Sequence, residues 1–201
     1  IFIGELYGNF VGGGSLVTQV VLQNILHFDI KTAMALDNAA VIGSNIGMVL
    51  ALMRNHTFRW WLAPFTLFQV LGALLGAWIL ILIDVQLLTL IFAVAIILLV
   101  AKNLFLQGKK HSEKGFQESS RNLALLFFCA FIIGIYNAAF VIGDWIIALL
   151  LMTSLLSFRY QNASFVLAFA AIFAQTTAAY QYYANELIDM HFLLPMFCAT
   201  L

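Results

Sequence analysis

Charge is what this chain has least of. Only 9% of its 201 residues are charged and 64% are apolar, against about 25% and about 45–50% in soluble domains. So little polar surface cannot face water, and lipid must be the solvent. Acids and bases balance to zero net charge, which offers no field to a nucleic acid. The two cysteines, Cys129 and Cys198, lie in apolar runs without metal-ligand spacing; they read as buried free thiols. No HExxH, P-loop or serine-triad pattern is present. Neither an enzyme nor ATP-driven transport is therefore expected within this chain, and no cofactor or metal.

What the chain does have is long apolar runs. A crossing takes about 20 residues, and candidates fall at 1–26, 32–53, 60–82, 85–105, 122–156, 162–184 and 189–201. The run 122–156 would extend roughly 50 Å as one helix, which suits two short crossings better than one. Its break is expected between Tyr136 and Asp144. The stretch 106–121 is the sizeable polar segment, with Lys102 and Arg121 beside it. The positive-inside rule makes it cytoplasmic, together with Arg54 and Arg59. If 122–156 crosses twice, Arg159 joins that side and Glu186 and Asp189 face out. Ile1 opens in mid-run, so the start is expected to have been trimmed.

The chain also repeats itself. Gly4, Phe10, Val11 and Gly13 recur as Gly134, Phe140, Val141 and Gly143. The same register carries Leu26-His27-Phe28 onto Leu156-Ser157-Phe158, Ala33 onto Ala163, Ala40 onto Ala170 and Ile42 onto Ile172. Pro64 lies over Pro195 with one residue of slip. Duplicated hydrophobic halves are how many secondary transporters are built, with the substrate where the halves meet. The expectation is an all-α, polytopic membrane protein of two repeats, inverted relative to one another, each opening with a broken helix. Residues 1–105 form the first repeat, 106–121 the linker and 122–201 the second. The second copy lacks a counterpart of Gly72-Ala73-Leu74-Leu75-Gly76-Ala77, so the natural chain is expected to continue.

Four groups of residues could carry function. The run Gly12-Gly13-Gly14-Ser15 frees backbone groups at membrane depth, tolerated where they line a cavity. Ser15 would cap a short helix to about Leu26, whose positive end suits an anion; tight packing of the Gly4, Gly8, Gly12 stripe is the alternative. Asp37 and Ser44 are seven apart, as are Asn38 and Asn45, which puts all four on one helix face. An aspartate there is a functional candidate by default, whereas Asn and Ser also serve as interhelical glue. Among the repeat mates of these four only Gln175 is polar, with Thr176 and Thr177 beside it. Asp144, the mate of Gly14, is either an N-cap or a proton or cation site. Gln19, Asn9, Asn137 and Tyr180 could line a cavity. His27 and His56 read as interfacial, and Trp60, Trp61 and Trp145 as headgroup anchors, with Trp145 a possible cavity wall.

The glycine-rich Gly4-x3-Gly8-x3-Gly12-Gly13-Gly14 entry, the Gly72–Ala77 block and a second half restarting after a basic loop resemble the sulfite exporter TauE/SafE family of permeases. The resemblance spans almost the whole chain. It implies a multi-pass bacterial inner-membrane carrier of sulfite and organosulfonate anions. Gln19 stands where the family usually has proline, and Leu36-Asp37-Asn38 where it usually has small hydroxyl residues, so substrate reading is expected to differ there.

The leading expectation is thus a secondary carrier of small sulfur-containing anions, working by alternating access at a midplane site. Its partners are the bilayer, a small anion, protons through Asp37 or Asp144, and a second copy in a homo-oligomer. A carrier selecting cations or metals with Asp37 and Asp144 is the alternative; a non-transporting assembly protein is another. An intramembrane aspartyl protease fits poorly, because Val141 stands where a glycine should precede Gly143-Asp144 and Leu36 where a tyrosine should precede Asp37.

Overall fold

A backbone in lipid must satisfy its own hydrogen bonds, which leaves helices for apolar runs of this length. A computed structural model describes residues 14–55, 58–84, 86–87, 90, 94, 97, 116–141 and 143–200. Among them there is no strand. Helix α1 (Gly14–Val20) runs into a π-helical turn at Val21–Ile25, and is followed by α2 (Ile30–Ala40) and α3 (Ile42–Leu52). Val41 keeps a helical backbone between these two, so Ile30–Leu52 runs on as one apolar rod. Next come α4 (Leu62–Leu82), α5 (Ser120–Phe140) and α6 (Asp144–Leu150), which enters a second π-helical turn at Leu151–Leu155. Helices α7 (Tyr160–Ala184) and α8 (Met190–Thr200) complete the described part. Four helices are long and apolar enough to cross a membrane: Ile30–Leu52, α4, α5 and α7. Most of the expected crossing at 85–105, and the start of the one at 1–26, lie outside the described residues.

The run 122–156 does break where expected, but its arms are unequal. Val141 takes φ 52° and Gly143 φ 67°, which ends α5 and turns the chain back on itself. The first arm has 21 residues, enough to span. The second, Asp144–Leu155, is a shorter apolar helix of about 18 Å. In place of two short crossings there is one full arm and one shorter arm.

Small residues set the closest approach in the bundle. A Cβ on Gly72 would meet the Phe131 carbonyl oxygen, one on Gly76 the Ile135 carbonyl oxygen, and one on Gly134 the Gln69 carbonyl oxygen. Contacts that advance together along both helices make α4 and α5 parallel. The Gly72–Ala77 block is thus the α4 face that accepts α5 at backbone distance.

The remaining directions follow from contacts at two ends. At the linker end, Phe158, just past the second π turn, stacks on Phe116, just before α5, at 4.5 Å, and meets Trp61 edge-on at 5.7 Å. Val49 and Leu52, at the end of α3, pack into the same cluster. At the far end, Phe28, just past the first π turn, meets Phe192 of α8 edge-on at 4.9 Å. Lys31 Nζ donates to the Ile81 carbonyl at 2.8 Å, placing a cation on the open C-terminal carbonyls of α4. The Tyr182 hydroxyl donates to the Ala138 carbonyl, so α7 ends beside the end of α5. Asp29 caps α2 by accepting from Thr32 N at 3.1 Å and from its hydroxyl at 2.8 Å. Two sequence expectations change. Cys198 is exposed although Cys129 is buried, and Trp61 is buried rather than a headgroup anchor.

Trp61 is held because its Nε1 donates to Glu118 at 3.1 Å, beside an ion pair between Glu118 and Arg59. The Arg59 hydrogen bond holds the Glu118 carboxyl below the usual carboxylate range, and the Trp61 hydrogen bond adds to it. A lowered folded value means this tether is at full strength above the ordinary glutamate pKa and is lost as pH falls through the lowered one. Wild type should therefore melt slightly above Glu118→Gln at neutral pH, with the gap closing in acid. The gap is small because both side chains are partly exposed.

Candidate functional site

The start of α1 and the break before α6 open on one cavity of about 60 Å³. That is room for a small oxyanion or a few waters. The first turn of α1 supplies Gly14 and Ser15, α3 supplies Ser44, Asn45 and Met48, and α6 supplies Asp144 and Trp145 behind Gly143. Asn137 of α5 and Gln175 of α7 close the wall. Gly143 is left-handed, a conformation that costs glycine nothing and lets Asp144 begin α6 at the cavity edge.

Four buried amides tie this wall together. Asn45 Nδ2 donates to Gln175 Oε1 at 2.8 Å, and Gln175 Nε2 to Asn137 Oδ1 at 3.2 Å. Asn38 Nδ2 donates to the Asn137 carbonyl at 2.9 Å and to its Oδ1 at 3.2 Å. An amide buried without a partner costs about 1–3 kcal/mol in proteins, so the chain of donors is what permits four of them here. The Ser44 hydroxyl donates to the Val41 carbonyl at 3.0 Å. Asp144 is the ionisable residue among those lining the cavity; no Lys, Arg or His joins it among the described residues. Nor do three His, Cys, Asp or Glu side chains gather anywhere among the described residues as a metal set would.

The structure divides the sequence candidates. Gly14, Ser15, Ser44, Asn45, Asp144 and Gln175 meet at the cavity. Asn38 touches it only through Asn137. Asp37 is turned to α1, where Gln19 Nε2 donates to its Oδ2 at 3.2 Å and to the Ala33 carbonyl at 3.1 Å; neither Asp37 nor Gln19 lines the cavity. Consecutive helix positions point about 100° apart, so the four residues 37, 38, 44 and 45 cannot all share one narrow stripe. Thr176 is exposed and its hydroxyl donates to the Ile172 carbonyl at 2.6 Å, one position around α7 from Gln175 and away from the cavity. Gly12 and Gly13 lie outside the described residues.

Ser15 and Asp144 sit in first turns rather than at caps, since α1 begins at Gly14 and Gly143 holds the N-cap of α6. Tyr180 is exposed and Trp145 is a cavity wall. Met48 was missed, although it stands four positions after Ser44 and so on its helix face. Asn137, a minor sequence candidate, is the hub of the amide chain.

A helical bundle with membrane-length helices, two matching helices that end in π turns and a small polar cavity between them has the make-up of an integral membrane transporter. The chain is a member of the sulfite exporter TauE/SafE family, whose model matches residues 1–201, its whole length. A significant match is found neither among curated proteins nor among solved structures.

Proposed function

We propose that this protein is a secondary carrier of small sulfur-containing anions, of the sulfite and organosulfonate class, that works by alternating access of two inverted repeats around the cavity. The observation that carries the reading is that matching positions of the two halves face each other there. Asn45 and its hydrogen-bond partner Gln175 are 130 residues apart. The same separation relates Gly14 to Asp144, Ser15 to Trp145 and Val41 to Ala171, all of them lining residues. A residue that touches its own repeat mate lies on the axis relating the halves.

Support for the repeat extends to backbone detail. Helix α1 with its π turn and α6 with its π turn have equal lengths at that separation. Both turns exit through a positive φ, 57° at His27 and 55° at Ser157. Phe28 N donates to Leu22 O at 3.0 Å and Phe158 N to Met152 O at 3.1 Å. Support for inversion comes from direction. The first π turn exits at the far end and the rod Ile30–Leu52 runs towards the linker; the second exits at the linker end and α7 runs away from it. The start of α1 and the break before α6 face one site, as in broken-helix carriers. Protons are coupled through Asp144 or Asp37, the membrane is the inner one, and the carrier assembles with copies of itself.

A test is uptake of labelled sulfite into proteoliposomes holding the full-length protein. Saturable uptake above protein-free vesicles is expected. Uptake of cations with none of sulfite would give the cavity to the alternative carrier, which the lone lining carboxylate favours.

A further inference from the structure

The cavity poses a charge problem for an anion carrier. Among the described residues its one ionisable lining side chain is Asp144, and the titratable group facing Asp144 is the phenol of Tyr136 on α5, within electrostatic reach. From α7 the lining group is the neutral amide of Gln175, from α3 the hydroxyl of Ser44 and the amide of Asn45, and from α1 the hydroxyl of Ser15. No described lining residue could neutralise a second negative charge. A dianion would therefore meet a carboxylate of like sign in a site of low dielectric, where such repulsion is strongest.

We infer that the cavity accepts its cargo as a singly charged oxyanion that still bears an acidic O–H, hydrogensulfite rather than sulfite, with that O–H donating to the Asp144 carboxylate. This rests on the cavity being the anion site, and it narrows the proposed cargo class to its sulfite member, since an organosulfonate carries no acidic O–H from mildly acidic to alkaline pH. The donor and acceptor inventory fits. A primary amide nitrogen carries two N–H groups. Among the described residues Asn45 uses one on Gln175, and Gln175 uses one on Asn137, which leaves one from each for the oxygens of the anion. A carboxylate has about four acceptor positions, so Asp144 can take the cargo proton as well as its contacts within the protein. An O–H···O⁻ bond is among the stronger charge-assisted ones. The carboxylate that would repel a dianion thus becomes the group that selects the protonated monoanion. The proton crosses bound to the cargo, and its coupling through Asp144 consists in the carboxylate holding that O–H.

The test compares initial uptake of sulfite and of methanesulfonate by the full-length protein in proteoliposomes, from mildly acidic to alkaline pH. Methanesulfonate is a monoanion of similar size with no O–H and no ionisation in that range. The expected result is a sulfite rate that tracks the hydrogensulfite fraction as pH rises. Methanesulfonate should move at least about tenfold more slowly, as expected where a site built for a hydroxyl meets an analogue lacking it. Asp144→Asn, which presents N–H groups there, should slow sulfite, raise methanesulfonate and narrow the preference. Asp144→Glu keeps the acceptor and should retain the pH profile, covering the case in which the amide variant fails to fold. Equal rates for the two anions in wild type, or a pH profile shared by both, would overturn the inference and leave the anion carrier standing. Uptake of neither anion by monodisperse wild-type protein would overturn the carrier reading and the inference with it.

Discussion

Asn45→Leu is expected to cut sulfite uptake at least about tenfold, which is about 1.4 kcal/mol of lost interaction with the cargo. Leucine has nearly the same shape and a higher helix propensity, so α3 should persist. What goes is the donor that orients Gln175 and the N–H offered to the anion. Gln175 Oε1 is then left buried without its partner, a cost of about 1–3 kcal/mol that falls on the cavity wall. Gln175→Leu should do at least as much, since it breaks the link to Asn137 as well. The double variant should be little worse than either single one, because residues sharing one hydrogen bond are not additive. Thr176→Val, one position away but facing outward, should stay within about twofold of wild type. Uptake in proteoliposomes beside melting temperature in detergent separates the outcomes. Normal uptake by Asn45→Leu would move the anion site elsewhere in the protein.

Gly134→Leu is expected to have the largest effect on folding. Its new Cβ would fall on the Gln69 carbonyl oxygen and beside the Ala73 amide nitrogen. These are backbone atoms in mid-helix, so α4 and α5 can only move apart. Overpacking against mobile side chains costs about 1–3 kcal/mol; here the neighbour cannot rotate away, and the cost should lie at or beyond the upper end. A monodisperse peak in detergent should largely vanish. Ala63→Leu, at an exposed position on the same α4, should leave that peak unchanged. If Gly134→Leu purifies and melts like wild type, the close α4–α5 contact is not what holds this bundle.

The break at 141–143 was legible in the sequence because a constant separation transferred the meaning of a glycine run to a stretch without one. Length also gave it away, since 122–156 is too long to be one crossing. The inequality of its arms was not legible. It depends on Val141 and Gly143 both taking positive φ, and nothing in the valine announces that. Within the site, spacing placed Asn38 and Asn45 on one side of a helix, where both do join the amide chain. It could not say that Asp37, next to Asn38, would face Gln19. Periodicity fixes an angle about a helix axis, and the neighbour found at that angle is decided by packing between segments far apart in sequence. Thr176 illustrates the same limit: it is beside Gln175 in the chain and faces elsewhere in the fold. Asn137 became central because two other amides, Asn38 and Gln175, converge on it, which only the folded arrangement reveals.

The two π turns are alike, yet the ends at which they exit are not. Past the far one, Phe28 meets Phe192. Past the other, Phe158 is pinned by Phe116 and Trp61, and Trp61 is fastened in turn by Glu118 and Arg59. A carrier with two equivalent gates would idle with both mouths visited equally. For a carrier that alternates as proposed, the linker-side clasp differs from the far one, among the described residues, in containing an ion pair, so salt, which screens such pairs, should loosen that end first.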